Sequence, residues 1–96
     1  MAAFEKLDPL LHNQLRLGIV SLLVGVESAE FSYLLEHTGA TKGNLSAQIT
    51  KLKEAGYLTV EKTFRGNYPL TTCKIEKKGV VAFEGYVKAI SGYLRK

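Results

Sequence analysis

The chain has 96 residues, 46% hydrophobic and 23% charged, with two prolines. No Pro-, Ser- or Gly-rich linker, low-complexity tract or internal repeat interrupts it, so residues 1–96 are expected to form a single domain with a modest core. The formal net charge of +4 is unevenly spread: residues 1–41 carry two basic and five acidic side chains, net −3, while residues 42–96 carry eleven basic and four acidic, net +7. The second half therefore suits a polyanion, and charge by itself fits DNA, RNA or an anionic membrane surface.

In chain order, Asp8-Pro9 reads as an N-cap and first helical residue. The apolar positions Leu10, Leu11, Leu15, Ile19, Leu22 and Leu23 then make the first helix hydrophobic nearly all round, as a central helix should be. Residues 31–56 read as two short helices joined by a tight glycine turn, the layout of a DNA-binding helix-turn-helix. Leu34 and Leu35 mark the inner side of the first, Gly39 and Ala40 supply the turn, and Thr41 is placed to cap the second. In that second helix Leu45, Ile49 and Leu52 recur at spacings of four and three, which buries one face. Gly43, Asn44, Ala47, Thr50 and Lys51 point broadly outward, with Gln48 on the flank. These residue types suit a duplex groove. Asn bonds adenine edges, Thr donates or accepts, Lys reaches guanine or phosphate, and the small residues let the backbone approach.

After Gly56, at the place of a C-cap glycine, YLTVEKTF and LTTCKIE flank the turn-forming RGNYP and predict a hairpin. Leu58 and Val60 alternate with Thr59 and Glu61, and Cys73 and Ile75 with Thr72 and Lys74, so each strand shows one face to a core. Lys62, Arg65, Asn67, Tyr68 and Lys74 would then be placed to grip the sugar-phosphate backbone or the minor groove. The last helix, about 78–94, has two apolar stripes: Val80, Phe83, Val87, Ile90 and Leu94 form one, Ala82, Tyr86, Ala89 and Tyr93 the other. A domain of this size does not easily cover both. The tyrosine stripe, with Phe4 and Leu7, is therefore assigned to a two-fold interface with a second copy.

The string LDPLLHNQLRLGIVSLL, the run TKGNLSAQITKLKEAGYL at 41–58, and the stretch from Arg65 through Thr71-Thr72 to Lys77, Lys78 and Gly79 resemble the short stand-alone winged-helix regulators related to the MarR and ArsR families. The resemblance covers nearly the whole chain. It implies an α+β, mainly helical fold, a winged helix-turn-helix with flanking N- and C-terminal helices, acting as a homodimer in sequence-specific control of transcription. By the same resemblance Lys42, Asn44, Ser46, Gln48, Thr50 and Lys51 fall in the recognition helix, about 42–54, and Arg65 in the wing, about 57–76.

Other chemistry finds little footing. His12 and His37 lie far apart with no Cys or paired carboxylates at ligand spacing, so no metal, cofactor or catalytic site is expected. Cys73 is the chain's one cysteine, read as a small buried hydrophobe in its strand, with a redox-sensing thiol as the sharper alternative. The longest apolar stretch, 19–26, is far short of the ~20 residues of a membrane span. Glu5 and Asp8 also occupy the place of a signal peptide's basic region, so no membrane partner and a cytoplasmic location are expected. Double-stranded DNA and a second copy are the expected partners; an apolar effector pocket between the first and last helices stays open, although no polar constellation marks one. The alternative from another class is a winged helix serving as a protein-interaction module without specific DNA binding.

Overall fold

The computed structural model describes residues 4–95 of the 1–96 span. Four helices and three strands follow in the order α1 (Gln14–Leu23), β1 (Ala29–Glu30), α2 (Phe31–Thr38), α3 (Lys42–Glu54), β2 (Leu58–Arg65), β3 (Tyr68–Ile75) and α4 (Lys77–Leu94). A helix-turn-helix followed by a hairpin and flanked by helices at both ends is the expected mainly helical α+β winged helix.

Asp8 does form a turn, but it does not start the helix. Its Oδ1 accepts from Leu10 N at 2.8 Å and its carbonyl from His12 N at 2.8 Å, closing one isolated turn. Asn13 then breaks the path with φ −154° and caps α1 through Oδ1, which accepts from Arg16 N at 2.9 Å. Asn competes for local backbone donors in this way wherever it precedes a helix.

The helix-turn-helix follows its sequence signals. Gly39 ends α2 in the left-handed region, φ 68°. Thr41 opens α3 by accepting from Asn44 N at 3.2 Å. Lys51 and Lys53 occupy the last turn of α3, where cations complement the helix dipole. Leu45, Ile49 and Leu52 are buried against Leu11, Ile19, Val20, Leu23 and Leu34, joining α1, α2 and α3 around one apolar centre.

The sheet has the order β1-β3-β2, all antiparallel. Register runs from Leu58↔Ile75 to Arg65↔Tyr68, leaving Gly66-Asn67 as a two-residue loop. Gly66 has φ +62° and among the described residues no non-glycine residue has positive φ, so Asn67 keeps φ below zero as a type II′ turn requires, and the twist of that turn matches the flanking strands. Pro69 is tolerated because β1 reaches only Thr72 and Cys73, so among the described residues no strand lies beside it on the outer side of β3. The two-residue β1 has no alternating pattern to announce it in the sequence.

In α4 two of the residues expected at an interface with a second copy lie inside the chain's own fold. Tyr86 and Ala89 are buried within the chain's own fold, while Val81, Val87 and Leu94 are exposed at 58%, 47% and 80%. The N-terminal segment covers the tyrosine stripe: the Phe4 ring lies 5.1 Å from that of Tyr93, whose hydroxyl donates to the Glu5 carbonyl at 2.9 Å. His12 Nδ1 and the Tyr86 hydroxyl are hydrogen-bonded at 3.1 Å. Phe4 and Tyr93 do meet, inside one chain. Leu7 and Ala82 are half-buried beside them.

Two hydrogen bonds of Tyr57 tie the α3–β2 connection to the start of α4 and to the N-terminal segment. The Tyr57 carbonyl accepts from Glu76 N at 2.9 Å, with Gly79 packed directly over it. The Tyr57 hydroxyl donates to Asp8 Oδ2 at 2.6 Å. The molecule measures 55 × 25 × 21 Å. Among the described residues no helix is long and apolar enough to cross a membrane.

Candidate nucleic-acid interface

The polar surface of α3 divides into two flanks about a crest of small residues. Gly43 and Ala47 lie exposed at the crest, and a Cβ at Gly43 would meet nothing within 4 Å. On one flank Ser46, Thr50 and Lys53 recur at helical spacing and face the hairpin. With Lys62 and Thr71 they line a cleft of about 360 Å³ whose floor is Phe31, Ile49 and Val60. The Thr50 hydroxyl donates to the Ser46 carbonyl at 2.9 Å, so toward a ligand it offers an acceptor.

The other flank carries Asn44, Gln48 and Lys51 and faces α1. There Arg16 Nη1 donates to Gln48 Oε1 at 2.6 Å, and Gln48 Nε2 donates to Asn44 Oδ1 at 3.1 Å. Arg16 Nε in turn donates to the Leu10 carbonyl at 2.6 Å, which anchors the guanidinium to the turn before α1. Lys42, Asn44 and Lys51 are exposed, and Gln48 is half-buried by these contacts.

The hairpin sorts its candidate residues by strand alternation. Leu58, Val60, Lys62 and Phe64 share a face with Ile75, Cys73, Thr71 and Pro69, since these are directly opposed pairs. That face starts in the core and runs outward past α3, which puts Lys62 beside Ser46, Thr50 and Lys53 of that helix. Arg65, Tyr68 and Lys74 lie on the opposite face. Arg65 Nη2 pairs with Glu30 Oε2 at 3.0 Å, an exposed ion pair of small energetic weight. Lys74 stands near the base of the hairpin with Glu27 and Glu61 lining the same depression. Asn67 occupies the turn, exposed.

The structure thus brings together Lys42, Gly43, Asn44, Ser46, Ala47, Gln48, Thr50, Lys51 and Lys62, and sets Arg65, Tyr68 and Lys74 apart. Three neighbours escaped the sequence reading. Lys53 follows Ser46 and Thr50 at helical spacing, a signal that was available. Phe64, 74% exposed, is the next residue after Lys62 on the same face, legible only once the register is known. Arg16 meets Gln48 across 32 positions, for which no local signal exists.

The histidines are each engaged elsewhere, His12 with Tyr86 and His37 with the Tyr33 ring at 4.2 Å. Cys73 is fully buried, and burial pushes its thiol up to about 11, which disfavours the reactive thiolate.

Known proteins share this architecture. An uncharacterised protein of Methanocaldococcus jannaschii is 38% identical over 79 residues, 82% of this chain and 86% of that protein. The structure of a transcriptional regulator homologue from Pyrococcus horikoshii superposes with a TM-score of 0.83 at 26% identity, covering 90% of this chain and 85% of the other. Bacillus subtilis PadR, solved in complex with operator DNA, superposes at 0.69 with 15% identity over 76% of this chain and 46% of its own, a likeness of fold. The winged helix DNA-binding domain family matches residues 15–94, and the chain belongs to it.

Proposed function

We propose that the chain is a cytoplasmic, homodimeric transcriptional regulator that binds a two-fold symmetric site on double-stranded DNA. Each α3 enters a major groove and each hairpin lies along the adjoining backbone or minor groove. The observation that carries this reading is the continuous surface formed by the small-residue crest of α3 and the cleft where Lys53 and Lys62 converge. A groove-width ridge with cations beside it fits bases at the crest and phosphates at the cleft. The Pyrococcus neighbour, a transcriptional regulator homologue, and the operator DNA in the PadR structure support the same reading. The run at 41–58, which resembles that of the short regulators related to MarR and ArsR, supports the same reading.

The second copy docks on α4, through Val80, Phe83, Val87, Ile90 and Leu94, whose alternating spacings of three and four make a heptad seam. Two such helices side by side would hold the α3 helices for half-sites about 34 Å apart.

Binding to a genome-selected duplex and to its scrambled counterpart, across a salt series, tests the proposal. Lys53→Ala and Lys62→Ala should each weaken binding to both duplexes and lower the salt slope by about 0.9 per lost phosphate contact. Ala47→Glu, on the crest, should abolish binding with the fold intact. Light scattering should return a dimer mass that Val87→Glu reduces to a monomer. Wild-type binding that ignores salt would refute DNA recognition in favour of a protein-interaction module.

A further inference from the structure

The hydrogen-bonded chain that begins at Arg16 has a chemical direction. A guanidinium offers only donors, so the Gln48 atom facing Arg16 at 2.6 Å is Oε1. That leaves Nε2 toward Asn44, where it can only donate, and the acceptor at 3.1 Å is Asn44 Oδ1. Both hydrogens of Asn44 Nδ2 are left for solvent or a ligand on an exposed side chain. The direction is imposed from outside the recognition helix, because Arg16 is itself held by the Leu10 carbonyl at 2.6 Å.

We infer that Arg16 is a positioning residue for base selection: it orients the Gln48 and Asn44 amides so that Asn44 meets the groove as a donor. The inference rests on the reading that α3 enters the major groove. An Asn free to turn pairs adenine bidentately, its oxygen accepting from N6 and its amide donating to N7. Here Gln48 takes one lone pair of the oxygen and holds the amide turned toward α3's own flank, with the NH₂ outward. The exposed NH₂ suits an edge made of acceptors, and guanine, with O6 beside N7, presents two in the major groove. Asn44 therefore selects guanine over adenine.

The test measures binding of wild type, Arg16→Met and Gln48→Glu to duplexes in which each base pair of the preferred site is varied in turn. Wild type should favour guanine over adenine at one position per half-site by about tenfold. Arg16→Met releases the amides to rotate, and that preference should fall to within about twofold. Gln48→Glu keeps a partner for Arg16 but can only accept, so Asn44 must turn its NH₂ inward and its oxygen outward. The preference should then move to adenine or cytosine, whose edges carry an amino group, on top of a general weakening from the added negative charge. Gln48→Glu also keeps the test decisive if Arg16→Met loses the fold, which thermal unfolding would reveal.

The inference is overturned if Arg16→Met weakens all duplexes equally with the base preference unchanged, or if Gln48→Glu keeps the preference for guanine. Wild-type preference for adenine at the Asn44 position overturns it as well. Salt-independent or absent duplex binding by wild type refutes instead the DNA reading on which it stands.

Discussion

Gly79, in the first turn of α4, offers a test of packing in which the sign of the effect decides. A methyl group there would stand 2.3 Å from the Tyr57 carbonyl oxygen and 3.0 Å from Ile75 Cγ1. The first distance is roughly 1 Å short of ordinary contact. The carbonyl is main chain and already accepts from Glu76 N at 2.9 Å, so it does not swing aside. Relief requires moving the start of α4 off the α3–β2 connection. Such overpacking costs ~1–3 kcal/mol, and loosening the hydrogen bond adds ~0.5–1.5 kcal/mol. Against this stands the gain of ~1 kcal/mol that alanine brings to a helix interior. Gly79→Ala should therefore destabilise by roughly 1–3 kcal/mol.

Gly85→Ala is the internal control. It lies in the same helix, exposed, with nothing within 4 Å of its added carbon. Only the propensity gain applies, so this variant should be up to ~1 kcal/mol more stable than wild type. Urea unfolding followed by circular dichroism, at one protein concentration because an oligomer links stability to concentration, resolves the two signs. Gly79→Ala as stable as Gly85→Ala would refute the reasoning.

The Tyr57 phenol gives a pH-dependent outcome. Burial, followed by the hydrogen bond to Asp8 and its charge, raises it from 10.0 to about 12. The folded state keeps a proton that the unfolded chain releases, so this stabilisation is complete below pH 10 and is lost as pH climbs to about 12. Tyr57→Phe should flatten the fall in unfolding free energy across that window, and a fall as steep as wild type's would count against the assignment. Cys73 should resist a thiol reagent in the native protein and react at once in denaturant, whereas rapid native labelling would place it outside the core. Thr41→Ala removes the cap of α3 and should cost about 1 kcal/mol by urea unfolding, with Thr41→Ser close to wild type.

How much of this was legible beforehand depended on sequence distance. The α2-turn-α3 unit was readable because each signal is local: Thr41 caps a residue three positions on, Gly39 supplies the left-handed turn, and Leu45, Ile49 and Leu52 repeat at helical period. The hairpin itself followed from period-two alternation on either side of RGNYP, whereas its register and the two-residue Gly66-Asn67 loop, with Arg65, Tyr68 and Pro69 inside the strands, came only with the structure. The same local signals misled at Asp8, where a cap-like residue closes one turn only, because Asn13 interrupts the path.

Contacts between distant segments decided the rest. Which stripe of α4 is covered depended on Phe4, Glu5 and His12 reaching it from the other end of the chain. The sides taken by Lys62 and Arg65 depended on how the sheet docks on α3. Arg16 joined the interface only because folding brings α1 against Gln48. By itself the sequence determined the order of the helices and the hairpin, the basic half and the face α3 turns outward, since periodicity and capping are properties of neighbouring residues, while the two-residue β1 carried no such signal. Tertiary structure decided which polar groups meet and which apolar stripe stays bare, because those outcomes turn on the burial of surfaces contributed by residues far apart in the chain.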